Sequence, residues 1–382
     1  MEFDPSWLLI GAPLVFALGW LGAKWDSRQW RREQRDAPRA YFKGLNLLLN
    51  EQQDKAIDAF IEAVQSDPDT TELHFALGNL FRRRGEHERA VRVHQHLLAR
   101  ADLPQAERDR AQYALAQDFF KAGLFDRAEA AYAQLKDSAF DLDASQALLS
   151  LYERSREWSK AAQMAGHLEA AGAGSFATRI AHYCCEQALE ARAQQHADAA
   201  LTLLQQARAR APQSGRAHVL LAQMAMQDGQ PQQAFEALTT LVSANPDAFN
   251  LAASDYARAA QGCGRQEQAL QQLQSLYQQR PSLALLDALA LLQTQDQQRR
   301  ERLNTHLRHE PSLSAAAALL EQTHAQLDAS EATLVQAALK QALRPLRRYR
   351  CAACGFESQH YFWQCPGCLS WESYPPRHVE EL

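Results

Sequence analysis

Ala200-Leu201-Thr202-Leu203-Leu204, followed by Ala207 and Pro212, recurs 34 residues on as Ala234-Phe235-Glu236-Ala237-Leu238, Leu241 and Pro246. A third copy, Ala269, Leu273, Leu276 and Pro281, follows at a spacing of 35. Upstream, Gly44, Ala56, Phe60 and Ala63 are answered at 34 by Gly78, Ala90, His94 and Leu97, and less regular copies centre on Ala128 and Ala161. Self-similarity at a fixed period of this size is the signature of a repeat array. Within each copy the apolar residues fall at helical spacing, as in Leu73, Leu77, Leu80 and Phe81, so each helix has one face to bury. Ala90, Ala128, Ala161, Ala200, Ala234 and Ala269 mark the points where two helices come closest, where a larger side chain would overpack. One helix pair buries too little surface alone, so neighbouring pairs must stack.

On these residues the chain resembles the tetratricopeptide-repeat family, whose unit is a pair of antiparallel helices with small residues at their crossing and Pro after the second. The fold expected is all-α: a superhelix of seven units over 37–283, beginning near Ala37, Thr71, Asp109, Leu142, Ala181, Gly215 and Asn250. From Ser282 the pattern decays, and 284–346 reads as degenerate or capping helices. Arrays of this kind bind peptides in a groove lined by the first helix of each pair. Asn79, Arg82, Tyr113, Gln117 and Phe120 are the candidates for that groove; for Tyr113 and Phe120, packing between helices is the alternative.

Residues 347–382 break the helical pattern with Cys351-Ala352-Ala353-Cys354-Gly355 and Cys365-Pro366-Gly367-Cys368. Two Cys-x-x-Cys knuckles can bring four thiolates into a tetrahedron around one metal ion, zinc being the expected ion and iron the alternative. Gly355 lets the backbone bend after the first knuckle. Phe356, Tyr361, Phe362, Trp363, Trp371 and Tyr374 offer a small apolar cover, and metal binding must supply much of the folding free energy of so short a segment. The competing reading is two disulfides.

At the other end, no charged residue occurs between Asp4 and Lys24, and Trp7, Trp20 and Trp25 stand toward the ends of that apolar run. Residues 1–23 are therefore expected to be an uncleaved single-pass anchor, since acidic Glu2 and Asp4 do not suit a signal peptide; a buried helix or a secreted protein is the alternative. Lys24, Arg28, Arg31, Arg32, Arg35 and Arg39 follow, with 24–36 as a basic linker, and the positive-inside rule puts the bulk of the chain in the cytoplasm and the N-terminus in the periplasm. Thiols stay reduced there, which favours metal over disulfides, and Cys184, Cys185 and Cys263 leave an odd remainder that fits the same compartment. The 382 residues carry a formal net charge of −5, which argues against general nucleic-acid binding.

No phosphate-binding loop, nucleophile elbow or His-Glu-x-x-His helix occurs, and no catalytic residue is assigned. His87, His94 and His96 read as solvated surface, and His182 beside Cys184 and Cys185 reads as core packing. Arg344, Arg347, Arg348 and Arg350 enter the ribbon, where they are expected to offset the charge of four thiolates; RNA contact is the alternative.

An anchor, a repeat array and a terminal four-cysteine ribbon, in that order, are similar to the lipopolysaccharide assembly protein B family of Gram-negative bacteria, and the likeness spans essentially the whole chain. One departure is Leu369, where rubredoxins have Gly after the last Cys. The resemblance implies a non-enzymatic inner-membrane adaptor that works with the membrane protease FtsH in the degradation of the lipid A-committing deacetylase LpxC, among other inner-membrane proteins of the lipopolysaccharide pathway. The alternatives are an iron-binding redox or sensor protein, and a scaffold for lipopolysaccharide assembly enzymes with no part in proteolysis.

Overall fold

The computed structural model describes residues 43, 46–47, 50, 52–66, 70–293, 296–309, 312–322 and 329–381. The expected anchor over 1–23, the basic linker over 24–36 and the opening of the expected first repeat lie outside the described residues. No described helix is long and apolar enough to cross a membrane. The chain divides after Arg156 into two compact units.

The first unit contains α1 (Gln53–Ser66), α2 (Thr71–Arg83), α3 (His87–Leu98), α4 (Gln105–Lys121), α5 (Phe125–Ala133) and α6 (Asp141–Ser155). Successive helices pack on one another through short turns. The turn between α2 and α3 shows how the chain reverses: Gly85 takes φ 81° and the Glu86 N–H reaches back to the Phe81 carbonyl at 2.9 Å. That left-handed residue satisfies carbonyls the helix end would otherwise leave bare, and it suits glycine because no Cβ meets the backbone. The same bond recurs at Gly123, Gly229 and Gly264. Ala90 and Ala128 are 0% exposed, as are Ala161, Ala200, Ala234 and Ala269 in the second unit.

His94 is not on the surface. It is fully buried, with Nδ1 2.5 Å from Asp118 Oδ2. Arg82 donates to Asp118 Oδ1 at 2.9 Å and to the Asn79 side-chain oxygen at 2.5 Å. The imidazole lies against Gly78, where an added Cβ would stand 2.5 Å from the ring. Helical spacing put His94 on the face opposite His96, and that face turns inward because a buried carboxylate on α4 is there to meet it.

The second unit runs through α7 (Trp158–Ala170), α8 (Ala177–Ala193), α9 (Ala197–Arg210), α10 (Gly215–Gln227), α11 (Pro231–Ala244), the short α12 (Pro246–Phe249), α13 (Ala253–Gly262) and α14 (Gln266–Gln279). Helix packing does not stop at Ser282. It continues through α15 (Leu283–Leu292), α16 (Asp296–His309), α17 (Leu313–Gln322) and α18 (Ala329–Leu346). The main core gathers Phe235, Leu238, Leu241, Phe249, Tyr256 and Leu273, among others, and Trp363 of the terminal ribbon packs against it. The ribbon opens with β1 (Tyr349–Arg350), which pairs antiparallel with β2 (Glu357–Ser358), and the described chain closes on a single 3-10 turn, Val379–Glu381.

Candidate metal centre and its docking face

Each knuckle is a tight turn closed by a backbone bond: the Gly355 N–H donates to the Cys351 carbonyl at 2.9 Å, and the Leu369 N–H to the Cys365 carbonyl at 2.8 Å. Gly355 has φ 78° and Leu369 φ 59°, so the residue after each second cysteine is left-handed in both turns. Leucine adopts there what glycine adopts freely, at a cost of roughly 1–2 kcal/mol.

The two turns bring Cys351, Cys354, Cys365 and Cys368 together, with all four Sγ atoms within 4.8 Å of one another. Cys351 and Cys368 sulfurs are 3.8 Å apart, Cys354 and Cys365 sulfurs 3.6 Å. A tetrahedron with metal–sulfur bonds of about 2.3 Å has edges of about 3.8 Å, so the cage fits one such ion. All four cysteines are free of disulfides.

Two sulfurs face inward and two outward. Cys351 is 1% and Cys365 0% exposed, whereas Cys354 and Cys368 are open to solvent. Tyr374, with Tyr361 and Phe362 packed nearby, covers the inner pair. Ser373 Oγ lies 3.2 Å from Cys351 Sγ and Ser370 Oγ 3.3 Å from Cys368 Sγ. Burial works against ionising Cys351, but the Ser373 hydroxyl and the Cys354 and Ala353 N–H groups outweigh it and bring the thiol down to about 6. Hydrogen bonds of this kind stabilise thiolate, the form a metal binds.

The two tryptophans leave the metal and serve the helices. Trp371 stacks on His182 of α8 with ring centroids 4.6 Å apart and meets Trp158 of α7 edge-on at 6.3 Å. Tyr183 also meets it edge-on, at 6.0 Å, and the Arg216 guanidinium stands 5.9 Å from it. Trp363 reaches the start of α10 at Gly215, where an added Cβ would stand in ordinary contact with the indole at 3.6 Å but only 2.6 Å from Ala248 Cβ, so the glycine makes room for Ala248. Ser214 donates to Glu372 Oε1 at 2.7 Å, and His182 Nε2 lies 3.0 Å from the same oxygen. Burial lowers the His182 pKa, and Glu372 opposes the shift.

The terminal turn reaches two further helices. Glu381 Oε1 accepts from the Leu283 N–H at 3.0 Å, and Glu380 Oε1 from the Ser314 N–H at 2.8 Å. Each helix has a serine of its own in the N-cap role, Ser282 for α15 and Ser312 for α17, so the glutamates take a second bare donor at each end.

Among the groove candidates, Asn79 and Arg82 are engaged in the Asp118 network. Tyr113 stacks on Phe140 at 5.3 Å and meets Tyr132 edge-on. Phe120 packs against Phe125 and beneath Arg154; Gln117 is half-buried on the same helix. Arg348 and Arg350 pair with Glu357 across the strand pair, and Arg347 donates to Ser314 Oγ at 3.2 Å, so their partners are carboxylate and hydroxyl oxygens. Burial pushes the Cys185 thiol up to about 12, which fits a packing role beside His182. Sequence reasoning missed the docking function of His182, Trp363 and Trp371 and the caps made by Glu380 and Glu381. The density of tryptophan in so small a ribbon was the one signal available.

Comparison with known proteins follows the same division. A family model described as rubredoxin metal binding domain matches residues 349–375, and one described as tetratricopeptide repeat matches 43–107 and 185–249. The chain is 31% identical over 378 residues to lipopolysaccharide assembly protein B of Escherichia coli strain K12, covering 97% of each chain. It is 30% identical over 403 residues to the Haemophilus influenzae protein of the same name, covering 98% of each. Among solved structures, a tetratricopeptide repeat protein from Parabacteroides merdae aligns with 68% of this chain and 99% of its own, at 13% identity and a TM-score of 0.34.

Proposed function

The chain belongs to the lipopolysaccharide assembly protein B family, and from that premise we propose that it is a membrane-tethered cytoplasmic adaptor of the lipopolysaccharide pathway. Residues 1–23 anchor it in the inner membrane with the N-terminus in the periplasm. The helices present docking surfaces, and the adaptor brings LpxC to FtsH so that the deacetylase is degraded. The observation that carries this reading is full-length likeness to the family, spanning both the repeats and the ribbon. Tethering accounts for the action without a chemical step: confining protease and substrate to one surface raises their effective concentration by an amount set by geometry.

Cys351, Cys354, Cys365 and Cys368 hold one zinc ion, which supplies a fourfold cross-link and no reaction. The stapled ribbon then clamps α7, α8 and the start of α10. Deleting residues 1–23, or replacing Cys351 and Cys354 by Ser, should lengthen the LpxC half-life in cells that depend on this protein. An unchanged half-life in both variants refutes the adaptor reading, and a coloured, iron-loaded protein refutes the assignment of zinc.

A further inference from the structure

The four sulfurs are not equivalent, and their inequality has a chemical use. Cys351 and Cys365 are buried, with the Tyr374 hydroxyl 3.8 Å from Cys365 and Ser373 against Cys351. Cys354 and Cys368 are exposed, flanked in the chain by Ala353, Gly355, Pro366 and Gly367, all exposed, with the partly exposed Phe356 and Leu369 beside the turns. The two close cross-knuckle pairs, Cys351 with Cys368 at 3.8 Å and Cys354 with Cys365 at 3.6 Å, each join one outer sulfur to one inner sulfur. An accessible thiolate beside a second, shielded one is the arrangement in which oxidation is captured as a disulfide before it proceeds to irreversible acids.

We propose that Cys354 and Cys368 are a modification site for two-electron oxidants of the hydroperoxide class, with Cys365 and Cys351 as their resolving partners, so that oxidation closes a cross-knuckle disulfide and expels the metal. An outer thiolate attacks one peroxide oxygen, the O–O bond breaks, hydroxide leaves and the sulfur becomes a sulfenic acid. The inner thiolate then attacks that sulfur, an S–S bond forms and a second hydroxide leaves. Two sulfurs have given up two electrons, peroxide has become two hydroxides, and two protons from solvent complete two waters. Closing to the disulfide length of about 2.05 Å removes two of four ligands, and the divalent ion departs. Small thiols reverse the step by exchange, as expected of a transient disulfide in a reducing compartment.

The proposal rests on the cysteines holding a metal, so zinc content of the purified full chain is measured first; a chain without zinc removes that premise and says nothing of adaptor function. On zinc-loaded protein, brief N-ethylmaleimide treatment should label Cys354 and Cys368 on the order of tenfold faster than Cys351 and Cys365. Hydrogen peroxide should then release zinc to a coloured chelator as two thiols are lost per ion. Fragment sequencing of chymotryptic peptides, cut between the knuckles, should find Cys351–Cys368 or Cys354–Cys365, and dithiothreitol with zinc should restore the starting state. Four outcomes overturn the proposal: equal labelling of the four sulfurs, zinc retained while Cys184, Cys185 or Cys263 is oxidised, disulfides within a knuckle, or sulfinic acid without disulfide.

Discussion

Replacing Trp371 by Ala should separate ribbon docking from metal binding. Its indole stacks on His182 and touches Trp158, Tyr183 and Arg216. Truncating a fully buried tryptophan costs about 3–5 kcal/mol, and Trp371 is half-buried, so about 2–3 kcal/mol of docking free energy should go. At about 1.4 kcal/mol per factor of ten, that is roughly a 30- to 150-fold rise in transient opening of the interface. The backbone bonds that shape the knuckles run among Cys351, Ala352, Gly355, Phe356, Cys365, Leu369, Ser370 and Ser373, and none uses the indole. Zinc content of Trp371→Ala should therefore match that of the parent. Amide exchange in peptides covering 177–186 and 214–220 should accelerate by the stated factor. Unchanged exchange there, or loss of zinc together with protection, refutes the reasoning.

Gly78→Ala should destabilise the first unit by about 1–3 kcal/mol, because its Cβ would meet a shielded imidazole ring rather than a flexible side-chain end; denaturant unfolding of this variant and of Gly78→Ala with His94→Ala should show partial recovery in the double variant. Leu369→Gly should change the stability of the zinc-loaded ribbon by no more than about 1 kcal/mol, since relief of the left-handed backbone is offset by loss of a leucine that is 39% exposed and otherwise covered, and competition with a chelator reads the change. Glu381→Gln should lower the melting temperature by about 2–4 °C at pH 7, near 1 kcal/mol for a lost charged cap. Burial opposes ionisation of Glu381, but His378 and the Leu283 N–H outweigh it, so its folded pKa lies below the ordinary 4.5. Its contribution is accordingly present above about pH 4.5 and lost as pH falls through the folded value, and the gap between parent and variant should close over that interval.

Alanines at the helix crossings and cysteines in paired turns were legible because each obeys a local rule: a period, or a spacing within one turn. His94 was not, since helical position alone cannot say whether a buried carboxylate waits on the next element; Asp118 lies 24 residues away. The ribbon's contacts were further from reach. Ser214 and Glu372 are separated by 158 positions, and no periodicity connects them. That the ribbon packs against the repeats is expected from its place beside them, but nothing in the sequence assigns the Trp363 and Trp371 side chains to that contact rather than to the cover of the metal. Nor does any local pattern mark Glu380 and Glu381 as caps for helix N–H groups that lie 66 and 98 positions upstream of them.

A stack of helix pairs is mechanically a chain of joints, each helix pair touching only its neighbours, so that bending is shared along its length. Trp371 on α8 together with Trp363 and Glu372 at the start of α10 lays a splint across one such joint, and the glutamates of the terminal turn bridge α15 to α17. Compliance within residues 157–381 is thereby uneven. Among the described residues the ribbon's polar bonds fall on α8, the start of α10, α15 and α17, so a partner that must bend the array at those helices meets added resistance.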